Sequence, residues 1–87
     1  MSYERVLFRG HKDAVNCLYA LENVLYSGSD DKSIRLWDIR TSKTTQCLRG
    51  FDEPVESIQS RDNVHVYAAV DNSIKCYDMR MNTNMIV

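Results

Sequence analysis

The chain repeats itself at an interval of forty residues, and that interval restricts its fold more than any other feature. Residues 9–40 laid over 49–80 without a gap share ten identities in 32 positions. These are Arg9/Arg49, Gly10/Gly50, Val15/Val55, Asn23/Asn63, Val24/Val64, Asp31/Asp71, Ser33/Ser73, Ile34/Ile74, Asp38/Asp78 and Arg40/Arg80. Asp13/Glu53, Leu18/Ile58, Arg35/Lys75 and Trp37/Tyr77 add conservative matches. A period near forty residues belongs either to paired-helix solenoids or to four-stranded propeller blades.

The residues inside the repeat choose between these. Val24-Leu25-Tyr26 and Ser33-Ile34-Arg35-Leu36-Trp37 are short β-branched and aromatic runs, the second alternating in period two. Between them lies Ser27-Gly28-Ser29-Asp30-Asp31-Lys32, a dense turn cluster. Val15 to Tyr19 reads as another strand, closed by a tight turn at Leu21-Glu22-Asn23. No stretch carries a 3.6-residue apolar face long enough for a helix. The expected fold is therefore all-β, with strands separated by turns every 8–12 residues.

Gly10-His11, Ser27-Gly28-Ser29, Asp31 and Trp37-Asp38 follow one another as in a WD repeat, with its GH and WD dipeptides in order. The resemblance extends over roughly residues 3–87, and the second repeat stands in register with the first. It implies two four-stranded antiparallel blades of an incomplete propeller. Repeat 1 covers about 9–40 and repeat 2 about 49–80, with outer strands at about 2–8, 43–49 and 83–87. Within the first blade it implies strands at 15–19, 24–28 and 33–38.

His11, Ser27 and Asp31 have the residue types of a nucleophilic triad, but such chemistry needs an exposed serine beside oxyanion donors in a cleft. The resemblance implies a buried relay instead, running from the Trp37 indole through Ser27 and His11 to Asp31. An indole N–H can only donate, so a hydroxyl partner suits it. No catalytic role is expected. In repeat 2, Phe51 stands for His11, Tyr67 for Ser27 and Tyr77 for Trp37, while Asp71 remains. Phe51 neither donates nor accepts, so the second blade is expected to rely on aromatic packing.

The run Leu25 to Arg40 ends in Trp37-Asp38-Ile39-Arg40 and is echoed by Tyr77-Asp78-Met79-Arg80. It resembles the box of WD proteins that dock onto the damaged-DNA-binding adaptor of cullin–RING ubiquitin ligases. Tyr26 departs from that box, standing where an aliphatic is usual. The resemblance implies that Trp37, Asp38, Arg40, Tyr77, Asp78 and Arg80 form the docking motif. Arg40 and Arg80 would present guanidinium forks to partner carboxylates from one rim. The alternative is a general WD scaffold in a signalling, RNA-processing or trafficking complex.

Composition narrows the remaining classes. Eleven basic and twelve acidic residues give a net charge of −1, too balanced to draw the chain onto nucleic acid or an anionic membrane. Cys17, Cys47 and Cys76 are an odd count without CxxC spacing, and each falls in an expected strand as a small apolar residue. A reducing compartment follows, cytoplasmic or nuclear. Asp30-Asp31 supplies too few oxygens for a cation, His65 lacks ligand spacing, and no cofactor motif is present. Two blades are fewer than the four to eight that close a propeller. The expectations are a fragment or isoform of a longer WD protein, or self-association through open blade edges. For the outer slot of the second blade, Thr83–Val87 is expected to win over Ser2–Phe8, because its connection is short.

Overall fold

A computed structural model describes residues 7–80 and the backbone of 83–86. Among the described residues eight strands form two antiparallel sheets. β1 (Val15–Leu21), β2 (Val24–Ser29), β3 (Ile34–Asp38) and β4 (Lys43–Leu48) lie side by side in sequence order. β5 (Val55–Ser60), β6 (His65–Val70), β7 (Ser73–Asp78) and β8 (Thr83–Ile86) do the same in the second blade. Each strand meets its neighbour through a short connection, so the ladders are local and each blade is a meander. Both blades carry a register shift at the start of their first ladder, between Val15 and Cys17 and between Val55 and Ser57. β8 occupies the outer slot of the second blade, pairing Asp78 with Thr83 and Lys75 with Ile86. The competing segment Ser2–Phe8 lies mostly outside the described residues.

The core sits where the two sheets face each other. Tyr26, Ile34, Leu36 and Leu48 of the first blade are buried with Phe51, Val55, Ile58, Val66 and Val70 of the second. Burial of these apolar groups is the main force joining the blades. Polar bolts fix their register. Tyr26 Oη donates to Asn63 Oδ1 at 2.6 Å, and Tyr19 Oη donates to the Ser60 carbonyl at 2.7 Å. Asn63 Nδ2 in turn donates to the Leu21 carbonyl at 3.3 Å. The tyrosine that departs from the docking box therefore serves the fold, since its fully buried ring fills the seam and its hydroxyl crosses it.

Gly28 lies under this seam. A Cβ there would stand 2.6 Å from both Val55 Cγ1 and Cys17 Sγ, so the close approach of β5 to β2 requires glycine.

One strand departs from the forty-residue spacing. Ser27 is paired with Leu18 on one side and Arg35 on the other. Forty residues on, Ile58 and Lys75 flank Ala68, not Tyr67. The β5–β6 hairpin has gained a residue, Asp62, whose carboxylate accepts from the Val64 and His65 amides at 2.9 Å. Three residues, Asp30–Lys32, separate the bonded Ser29 and Ser33, whereas two, Asp71–Asn72, separate the paired Val70 and Ser73, so the spacing recovers by β7. Glu22 and Asn63 are accordingly the equivalent turn residues, with φ of 57° and 58°. The backbone bond Ile39 N–H to Asn23 carbonyl likewise becomes Met79 N–H to Val64 carbonyl.

Candidate functional site

The connection into the first blade places His11 beside the β2–β3 turn. His11 Nδ1 lies 2.9 Å from Asp31 Oδ2, and Nε2 lies 2.6 Å from Ser27 Oγ. Trp37 Nε1 donates to the same Ser27 oxygen at 2.8 Å. Four residues from the loop, β2, the turn and β3 thus share one chain of hydrogen bonds, most of it removed from water. Phe8 closes the outside, its ring edge-on to Trp37 at 5.6 Å. Chemically the arrangement is unlike a hydrolytic triad, because Ser27 is buried and its hydroxyl is already the acceptor for an indole.

Asp31 is the hub. Its Oδ2 also accepts from the Lys12 amide at 3.0 Å, and Oδ1 accepts from Ser33 Oγ at 2.5 Å and the Ser33 amide at 3.0 Å. Partial burial alone would raise its pKa, but hydrogen bonds from Ser33, the Lys12 amide and His11 overcome that. They hold the carboxyl well below the usual carboxylate range. A folded-state value below the unfolded one means that Asp31 contributes stability above about pH 4, lost as the pH falls towards the folded-state value. Asp31→Asn is thus expected to melt well below wild type at pH 7, with the gap narrowing steadily in acid. Thermal melts from pH 7 to pH 2 check this; a gap that stays constant contradicts it.

The far ends of β3 and β7 carry the docking candidates. Trp37, Tyr77 and Asp78 are buried, so none of these side chains offers itself to a partner directly. Arg40 is 74% exposed, tied by its amide to Asp38 Oδ1 at 2.9 Å while its Nε stays 3.8 Å from that oxygen. Arg80 is engaged within the chain. Its Nε and Nη2 donate to the two oxygens of Asp78 at 3.1 and 2.9 Å. That fork outweighs the burial that opposes it, and the Asp78 carboxyl is brought down to about 2. Of the two guanidiniums expected to reach a partner, Arg40 is the less committed.

A family model described as "WD domain, G-beta repeat" matches residues 2–38. The WD repeat-containing protein 53 homolog of Dictyostelium discoideum is 36% identical over 75 residues, covering 82% of this chain and 20% of that protein. The chain carries a WD repeat. A probable E3 ubiquitin ligase complex SCF subunit sconB of Arthroderma benhamiae is 45% identical over 42 residues, covering 48% of this chain and 6% of that protein. Among solved structures, the WD40 repeats of RRP9 superpose with a TM-score of 0.80 at 25% identity. That match covers 91% of this chain and 25% of that one. The chain thus spans a fifth or less of the two curated relatives it matches here.

The second WD repeat fastens its loop by another route. Tyr77 Oη donates directly to the Arg49 carbonyl, and Phe51 packs edge-on to Tyr77 at 5.5 Å. The expected aromatic packing therefore involves Phe51 and Tyr77. Tyr67 takes no part, because the displaced β6 puts Ala68 in the place of Ser27 and leaves Tyr67 42% exposed. Asp71, the relay residue type that repeat 2 keeps, takes no part either. It is exposed at the hairpin turn, with φ of 55° and its amide donating to Glu56 Oε2 at 3.1 Å. Sequence reasoning missed Tyr19, Tyr26 and Asn63; a phenol where the motif favours an aliphatic was the available signal.

Proposed function

We propose that this chain is part of a non-catalytic protein-interaction scaffold, and that Arg40 docks it to the adaptor of a cullin–RING ubiquitin ligase. The observation that carries the reading is Arg40 itself. It sits at the end of β3 as the last residue of the Trp-Asp-x-Arg motif, exposed and weakly paired. Asp38 holds the backbone there, so the guanidinium can meet a partner carboxylate from a fixed base. The similarity to a protein described as an SCF subunit supports a ubiquitin-ligase setting. A reducing cytoplasmic or nuclear location accords with the three free thiols.

The test is capture of the purified adaptor by the chain. Arg40→Ala is expected to reduce capture by about tenfold or more, the loss for one charge-assisted hydrogen bond pair. Arg80→Ala is expected to cost less, because its fork is already occupied by Asp78. If Arg40→Ala and Arg80→Ala combined leave capture unchanged, the chain is a scaffold of another kind.

A further inference from the structure

At the opposite end of β3 from Arg40, four basic residues surround one hollow. Lys12 comes from the loop before β1, Lys32 from the β2–β3 turn, Arg35 from β3 and Arg49 from the link between the blades. Together with Asp31 and Ser33 they line a cavity of about 180 Å³. The concentration of positive charge is out of proportion to a chain of net charge −1. Asp31, the only carboxylate among the described lining residues, has both oxygens taken up by His11, Ser33 and the Lys12 amide. The ion pairs among the described residues use His11, Arg40, His65 and Arg80, and none uses these four.

Arg35 is held in place. Its guanidinium lies against Gly10, where an added Cβ would stand 3.0 Å from Cζ, Nε and Nη1. It also lies 6.0 Å from the centroid of the Trp37 ring. The glycine of the Gly-His pair therefore leaves room for an arginine. Arg35 Nε is buried and has no hydrogen-bond partner among the described residues. A buried charged donor left unmatched is costly, and an acceptor with negative charge would relieve it.

We propose that Lys12, Lys32, Arg35 and Arg49 form a binding site for a phosphate group, with Arg35 as its preformed anchor. A tetrahedral dianion can accept from several donors at once, which a single carboxylate does less well among four cations. The same chemistry could arrive as free phosphate or as a phosphorylated side chain of a partner polypeptide. The site shares no residue with the Arg40 rim, so it stands or falls separately from adaptor docking.

The experiment follows the amide and Arg Nε–H resonances of the full ¹⁵N-labelled chain. It is titrated with inorganic phosphate, with a phosphoserine peptide and its unphosphorylated form, and with chloride at matched ionic strength. Saturable shifts are expected at Lys12, Lys32, Ser33 and Arg35 Nε with the phosphate probes and not with chloride. Tighter binding of the phosphopeptide than of phosphate identifies a partner side chain as the source; equal binding identifies the free anion. Arg49→Gln and Lys12→Gln, both at exposed positions, are expected to weaken binding by about tenfold together while leaving the spectrum folded. Arg35→Gln is expected to abolish it. Shifts that grow linearly, match those from chloride, or survive all three substitutions overturn the proposal.

Discussion

Ser27→Ala is expected to cost far more than the loss of one small hydroxyl suggests. Ser27 Oγ is the shared partner of the Trp37 indole and His11 Nε2, so its removal strands two groups. Each buried polar group left unmatched costs about 1–3 kcal/mol. Trp37→Ala is expected to cost about 3–5 kcal/mol, because it deletes a buried aromatic as well as a donor. Against a total stability of about 5–15 kcal/mol for a small domain, either substitution is severe. Urea unfolding followed by the fluorescence of Trp37, the only tryptophan, measures the first, and circular dichroism the second. Phe51→His serves as the complementary test in the second blade. It should bring no gain, since Ala68 offers no hydroxyl where Ser27 stands in the first. A Ser27→Ala protein within about 0.5 kcal/mol of wild type would show that the network is incidental.

The second large effect concerns the outward faces of the blade pair. In the inner seam β5 packs against β1 and β2, with Val66 and Val70 of β6 buried in the same core, and each blade carries the counterpart of the other's half. Val55 and Ile58 are buried in the seam, at 0% and 6% exposure. Their counterparts Val15 and Leu18 are 50% and 65% exposed and line an apolar hollow with Leu7, Phe8 and Leu25. On the other side, Tyr67, Ala69 and Ile74 line a second hollow where their counterparts Tyr26, Gly28 and Ile34 are covered. Two faces that match the halves of an existing interface favour head-to-tail contact between copies. The purified 87-residue polypeptide is therefore expected to associate as its concentration rises. Leu18→Glu and Tyr67→Glu should each oppose this without touching the inner seam. Size-exclusion chromatography with light scattering, run across concentration, reads the result. A monomer that stays at 10.1 kDa and melts cooperatively would refute it.

The turn clusters and the alternation in Ile34–Trp37 are local and were sufficient to specify strands, while their grouping into two blades was implied by the WD-repeat resemblance that the forty-residue period supports. The relay of Trp37, Ser27, His11 and Asp31 was implied by the same resemblance, and the need of buried donors and acceptors for partners is the physical reason it forms. The place of β6 was different. Asp62 added to one hairpin and a residue removed from the next leave the period intact, so a gap-free alignment cannot detect the slip between them. In a strand, a slip of one residue exchanges the two faces, and only the ladders to β5 and β7 show that Ala68 faces inward and Tyr67 outward. The same holds for the seam and the rims. That Tyr26 reaches Asn63, that Asp78 clasps Arg80 while Asp38 pairs only weakly with Arg40, and that Arg35 gathers with Lys12, Lys32 and Arg49 are outcomes of packing. The sequence determined which groups the chain carries and how its strands follow one another. Contacts between segments far apart in the chain decided which of those groups are spent within the fold and which remain for a partner.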